Sequence, residues 1–298
     1  MPPPFFEEAS YFHSHPRSLQ QGGRGWVKSM TIIYLSIFIF GLIIGSFLNC
    51  VIFRLEKGEN FLKGRSHCPH CGHVLAWYDL VPVLSFVILK RRCRYCKKNI
   101  SWQYLIVELV TGILFVFPLF LSPLHYSIES CFGLLFYFLI ISFLIIIFIY
   151  DLKHFIILDK VLFSAIAVSF LYLIINNQLL PSRIAIKSVS GGVVNHLLAA
   201  LGASGFFLFI YFLSKGKWLG FGDVKLAILL GLLLGWPKIV LALFLSFIIG
   251  GTIGIGLIIF YKKKLKSEVP FAPFLILGTL IAFFYGNTII NWYFSLIF

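Results

Sequence analysis

An aspartate at the mouth of an apolar helix is costly unless it is hydrated or paired, so such residues point to chemistry. The chain has four aspartates, Asp79, Asp151, Asp159 and Asp223, and three of them lie at the ends of apolar runs. Asp151 follows the run Ser142 to Tyr150 and begins Asp151-Leu152-Lys153. Asp223 stands in Leu219-Gly220-Phe221-Gly222-Asp223-Val224-Lys225, a Gly-x-Gly-Asp-x-Lys segment between two long apolar runs. Two carboxylates brought together can hydrolyse a peptide. The ionised one activates a water, and the protonated one polarises the carbonyl and supplies a proton. Like charges at short range favour this half-protonated state, and the apparent pKa values then belong to the pair. Asp151 and Asp223 are therefore the candidate catalytic residues. Gly220, Gly222 and Lys225 are candidates for the approach to an extended substrate, because glycine lets a backbone come close. Two other readings stand beside this one. Each aspartate could be a helix N-cap or loop residue near Lys153 or Lys225, or the pair could line an ion pathway. No inverted repeat of the transporter kind is evident.

A second constellation is made of thiols. Cys68-Pro69-His70-Cys71 and Cys93-Arg94-Tyr95-Cys96 are two C-x-x-C pairs separated by 21 residues. Four thiolates at this spacing make a closed tetrahedral zinc site, so Cys68, Cys71, Cys93 and Cys96 are the candidate metal ligands. His67, His70 and His73 stand nearby but are not needed. A closed site would be structural, folding a small domain too poor in apolar mass to hold itself. Without metal, the pairs would be reduced thiols or a redox couple. The absence of a βαβ pattern argues against thioredoxin-type chemistry.

The elements that must position these groups are membrane helices. Of 298 residues, 59% are hydrophobic and 12% charged, with a mean hydropathy of +0.95. Soluble domains carry about 25% charged residues. The fold class is therefore an all-α polytopic membrane protein with about eight transmembrane helices and a small zinc-ribbon-like cytoplasmic domain between the first two. Residues 1–29 are polar and irregular, lack the marks of a signal peptide, and are read as a disordered extension. Met30, just before the first apolar run, is a candidate alternative start. Residues 30–53 hold the first span, with Gly41, Gly45 and Ser46 at a spacing suited to close helix packing. Residues 54–103 form the four-cysteine domain, and 104–298 the membrane peptidase domain. The run at 224–236 is short and would also fit a re-entrant segment.

Nineteen of the 25 Lys and Arg residues fall in one set of alternate loops, 54–103, 151–160, 214–225 and 261–268. The positive-inside rule puts that set in the cytoplasm, with all four aspartates and both cysteine pairs. The net charge of +14 is accordingly read as facing anionic membrane lipid, not nucleic acid.

From about Phe40 to Asn287 the sequence resembles the type IV prepilin peptidases, the leader peptidase–N-methyltransferases of bacterial pilus, type II secretion and competence systems. The likeness is carried in order by Gly45-Ser46-Phe47-Leu48-Asn49 with Arg54-Leu55, by Cys68-Pro69-His70-Cys71, and by Trp77-Tyr78-Asp79-Leu80-Val81-Pro82. It continues with Arg92-Cys93-Arg94-Tyr95-Cys96, Ile100-Ser101-Trp102-Gln103-Tyr104, Asp151-Leu152-Lys153-His154, Gly220-Phe221-Gly222-Asp223-Val224-Lys225 and Pro270-Phe271-Ala272-Pro273-Phe274. The resemblance implies a bacterial inner-membrane aspartyl endopeptidase of the Gly-x-Gly-Asp type, with Asp151 and Asp223 as the catalytic pair. It implies prepilin or pseudopilin substrates, cleaved on the cytoplasmic side after a basic leader. It also implies methylation of the new N-terminus with S-adenosylmethionine, in which the cysteine-bearing loop is implicated. Three positions depart from the family pattern: Leu158 where Pro is usual before Asp159, Ala272 where Gly is commoner, and Leu105 where Pro is frequent. Asp159 is read as structural, at the start of the next helix. The sequence holds no Gly-rich nucleotide loop after a strand. Glu108 and Asp79 could contribute to methyl transfer, or could simply hold Arg or backbone amides at helix ends. Three functions are thus open: a bifunctional peptidase and methyltransferase, a peptidase with a purely structural zinc box, and a membrane transporter or scaffold.

Overall fold

A computed structural model describes residues 16–60, 64–121, 128–179, 192–261 and 269–297. Among these described residues there are nine α-helices, one short 3₁₀ turn and no strands. Helix α1 spans Pro16–Glu56 and α2 Leu84–Ile88. Helices α3 (Trp102–Leu121), α4 (Ile128–His154) and α5 (Asp159–Leu179) follow. Then come α6 (Gly192–Leu213), α7 (Phe221–Leu234), α8 (Lys238–Tyr261) and α9 (Ala272–Ile297). Residues 1–15 of the expected disordered extension lie outside the described residues. Residues 16–29 form the beginning of α1.

Among the described residues, seven helices are long and apolar enough to cross a membrane: α1 from Met30, then α3, α4, α5, α6, α8 and α9. They leave large side chains such as Phe120, Phe209, Phe212 and Phe244 exposed on the outside, as a lipid-facing surface requires. This is a multi-pass membrane protein. The remaining apolar run folds as α7, only 14 residues long, about 21 Å at 1.5 Å per residue against the roughly 30 Å of a bilayer core. Helix α7 is apolar all round and sits in the interior. Leu226, Ala227, Leu229 and Leu230 are fully buried.

Small residues set the packing. Helices α1 and α3 touch through backbone: a Cβ added to Gly41 would lie 2.8 Å from the Gly112 Cα, and one added to Gly45 2.7 Å from the Glu108 Cα. The sequence places these glycines where small residues allow close helix approach. Gly231 of α7 lies against the backbone of Ala199 and Ala200 on α6 in the same way. The far end of α7 is closed by Gly235 at φ +66, with the His196 ring bonded to the Leu232 carbonyl at 2.8 Å and Asn195 donating to the Trp236 carbonyl at 3.1 Å. These contacts satisfy C-terminal carbonyls that lack helical partners and stop α7 within the bundle.

Candidate active site and four-cysteine centre

Helix α4 carries Asp151 in its last turn, and α7 carries Asp223 in its first. Both are buried, 5% and 8% exposed, and the Asp151 charge is near enough to act on the Asp223 carboxyl. Each carboxylate also meets a helix N-terminus. Asp223 is the third residue of α7, and its side chain reaches back to the amide of the N-cap residue Gly220. This is the acidic half of a capping box. Asp151 accepts a hydrogen bond from the backbone N–H of Ala272, the first residue of α9. That amide is one of the four a helix start leaves without an internal partner. Asp151 Oδ2 is buried and has no hydrogen-bond partner. A buried carboxylate oxygen without a donor is expensive, and a water or substrate group would remove that cost.

The two lysines of the Asp-x-Lys repeats turn away from their aspartates. Lys153 pairs with Glu56 at 2.8 Å, tying α4 to the end of α1. Lys225 pairs with Asp159 at 2.8 and 3.0 Å, tying α7 to the start of α5. Both aspartates therefore meet helix starts, Asp223 that of its own helix and Asp151 that of α9, but neither pairs with the lysine two residues on. Neither is the N-cap of its own helix, and both lysines have other carboxylate partners. Asp159 opens α5, as read from the sequence.

The two glycines have different work. Gly220 is the N-cap, with φ −74 and ψ 148, and any side chain there would face the Asp223 carboxylate, 3.7 Å from a Cβ. Gly222 packs against Ile157, whose side-chain atoms lie 3.3 Å from where its Cβ would be. Ile157 reaches this position because α4 ends on Phe155 at φ +57, a left-handed exit that folds the following chain back across the mouth of α7. The Pro-to-Leu departure at Leu158 leaves this loop packed, with Ile157 and Leu158 against the main core.

Sequence reasoning missed Ala272 and Ile157 as site residues. The segment Pro270-Phe271-Ala272-Pro273 was visible as a landmark, but nothing in it showed that its amide would meet Asp151. Ile157 carries no signal, because an apolar loop residue is chemically silent until its neighbour is known to be glycine.

The four sulfurs of Cys68, Cys71, Cys93 and Cys96 all lie within 4.8 Å of one another. The two pairs are built alike. In the first, Cys68 N–H donates to the His73 carbonyl at 2.9 Å and Gly72 N–H to the Cys68 carbonyl at 3.0 Å. In the second, Cys93 N–H donates to Lys98 at 2.9 Å and Lys97 N–H to Cys93 at 3.0 Å. Gly72 and Lys97, each four residues past the first cysteine, both have positive φ, +69 and +60. Antiparallel bridges His67–Val74 and Arg92–Asn99 close the two knuckles. A zinc ion with Zn–S bonds of about 2.3 Å needs sulfurs about 3.8 Å apart, and Cys68 and Cys96 sulfurs are 3.9 Å apart. The donor set fits zinc. Asp79 ties the second knuckle to the 3₁₀ turn Trp77–Leu80: its buried carboxylate takes the Arg94 guanidinium at 2.7 Å, the Tyr95 hydroxyl at 3.3 Å and the amide of Ala76, the N-cap of that turn, at 3.4 Å. That is the helix-end reading of Asp79.

Comparison with known proteins agrees with the motifs. Residues 39–122 match the family described as the Bacterial Peptidase A24 N-terminal domain, and residues 138–255 the Type IV leader peptidase family. The chain is similar to the prepilin leader peptidase/N-methyltransferase of Aeromonas salmonicida, 31% identical over 89% of this chain and 95% of that protein. It is similar to the protein of the same description from Bacillus subtilis, 30% identical over 86% of this chain and 96% of that one. The counterpart from Myxococcus xanthus is 47% identical over a shorter stretch, 30% of this chain and 27% of that one. No solved structure matches. With both halves matched in order and relatives aligned over nearly their whole length, the chain belongs to the type IV leader peptidase family.

Proposed function

We propose that this protein removes the basic leader from type IV prepilins or pseudopilins at the cytoplasmic face of the bacterial inner membrane, using Asp151 and Asp223, and N-methylates the new terminus with S-adenosylmethionine. The observation that carries the peptidase reading is the pair of buried carboxylates, one on the end of α4 and one on the start of α7, with Asp151 Oδ2 lacking a partner. The cytoplasmic placement is supported by the nineteen basic residues in the loops that carry both groups of candidate residues.

In the half-protonated pair, the ionised carboxylate takes a proton from water as the water oxygen attacks the scissile carbonyl. The other carboxylic acid gives its proton to the carbonyl oxygen. Collapse of the tetrahedral intermediate breaks the C–N bond, and the leaving amine takes a proton from the pair. The amides of Ala272 and Gly220 hold the two side chains in place, so little reorganisation is needed at the moment of reaction. On this reading the helix ends that carry them lie at the membrane surface, where leader, water and apolar pilin helix meet. Zinc on the four cysteines would fold the 54–103 domain and takes no step in hydrolysis.

The test is purified protein with a prepilin bearing its leader, with and without S-adenosylmethionine, and the product N-terminus read by mass spectrometry. Cleavage after the leader glycine with a methyl-sized mass gain is expected. Cleavage without the gain would leave a peptidase with a structural zinc box. No cleavage by folded protein would overturn the reading in favour of a transporter or scaffold.

A further inference from the structure

A chamber of about 690 Å³ lies between the cysteine domain and the inner ends of α1 and α3. It is distinct from the aspartate pair, and hydrolysis makes no use of it. Its volume is within the ~300–1,000 Å³ of small-ligand sites. Its lining is mixed in a specific way. Phe86 and Trp102 stand 5.5 Å apart, with the Arg91 guanidinium 5.3 Å over the Trp102 ring. Glu108, on the buried side of α3, lines the chamber and is only 7% exposed. Its carboxylate takes the Val83 amide at 2.8 Å and the Ser46 hydroxyl. Asn49 also lines it, 2% exposed, with its amide NH₂ given to the Tyr104 carbonyl at 3.0 Å and its Oδ1 without any partner. A buried carboxylate and an orphaned amide oxygen on one wall, with Arg54, Arg91 and Arg94 also lining the chamber, call for a polar occupant that carries charges of both signs.

We propose that this chamber is the methyl-transfer site: it takes S-adenosylmethionine, with the aromatic wall against the purine, and Glu108 faces the sulfonium and the substrate amine. The inference rests on the bifunctional reading above. Location supports it. Lys153 lines the chamber and stands two residues beyond Asp151, so the end of α4 that carries Asp151 borders the chamber and leaves the released amine a short path to it. There the amine, as free base, forms a bond from nitrogen to the methyl carbon. The carbon–sulfur bond breaks with its electron pair left on sulfur, giving S-adenosylhomocysteine. The proton lost from nitrogen passes to the Glu108 carboxylate. The bonds of Glu108 to Val83 and Ser46 orient it, and its charge serves the ligand.

The test is equilibrium binding of tritiated S-adenosylmethionine to the full-length chain in detergent. Glu108→Gln keeps an acceptor for the Val83 amide and the Ser46 hydroxyl but loses the charge. It is expected to weaken binding at least tenfold with the melting temperature unchanged. Ser85→Phe, which fills the chamber from α2, is expected to do the same. Wild-type affinity in both variants would overturn the chamber assignment while leaving the bifunctional reading intact. Failure of the unmutated chain to bind would overturn both the chamber and the methyltransferase reading. Photo-cross-linking of the same ligand to the unmutated chain gives a check free of folding effects. Label is expected in peptides covering 46–56 or 84–108, and label only elsewhere would overturn the proposal.

Discussion

Asp151 and Asp223 are buried carboxylates that meet helix N-termini, and each N-terminus contributes an amide donor to a carboxylate oxygen. Such a pair works only with one proton shared between its two members. The leader-cleavage rate is therefore expected to fall on both sides of a pH optimum. On the acid side the base is lost, and on the alkaline side the acid is lost. A kcat profile measured across the range should be bell-shaped, and a single sigmoid would contradict the shared-proton mechanism. Lys225 stands apart from the aspartate pair. Its ammonium is held by Asp159, itself 56% exposed, and exposed pairs of this kind contribute about 0–1 kcal/mol. If Lys225 only braces α7 against α5, Lys225→Ala, Asp159→Ala and the double variant should have the same small effect on cleavage, within severalfold. If Lys225 instead meets substrate, Lys225→Ala alone would be strongly impaired. The kinetics of the three variants separate the two roles.

At the scale of elements, the site depends on one loop and one short helix. Gly222 is against Ile157, and a Cβ there would lie only 3.3 Å from its side chain, so Gly222→Ala should push the loop by a few tenths of an ångström. Its cleavage rate is expected to drop about tenfold or more, since small misplacements near reacting groups are amplified. Ile157→Ala opens that space, and the double variant should recover a large part of the loss. Absence of any recovery would mean that Gly222 acts through something other than this contact. Gly231, deeper in α7, meets the backbone of Ala200, where no side chain can yield. Gly231→Ala should cost about 1–3 kcal/mol by overpacking, read as a lower melting temperature. Much of this arrangement could be read in the sequence. Hydrophobic run length and the distribution of Lys and Arg mark the spans, and thiol spacing marks the cysteine knuckles. Gly-x-Gly-Asp marks a helix start because glycine precedes a first-turn acid. What could not be read was pairing between distant segments. Nothing local to Asp151 says that its partner is the Ala272 amide. Nothing in Asp-x-Lys says that the lysines bind Glu56 and Asp159 instead of their own aspartates. The short run at 224–236 could be read as short, but its burial on all sides depends on α5, α6, α8 and α9 closing around it.

At the scale of the whole molecule, α7 sits among α5, α6, α8 and α9, and a small four-cysteine unit stands at the end where α1 and α3 meet. The unit has little apolar mass of its own, so the metal should supply its stability. Cys71→Ser, or extraction by a strong chelator, is expected to release the bound zinc and lower the amount of folded protein. Metal content unchanged in Cys71→Ser would contradict the four-thiolate site. The central claim is that hydrolysis belongs to the two aspartates. It is tested most directly by the initial rate of prepilin cleavage by Asp223→Asn beside the unmutated protein, in the same detergent and at matched folded concentration. Asparagine can neither take up nor release the carboxyl proton. The variant should be at least a thousandfold slower, consistent with the loss of an essential acid or base. Cleavage by Asp223→Asn at the unmutated rate would contradict the account.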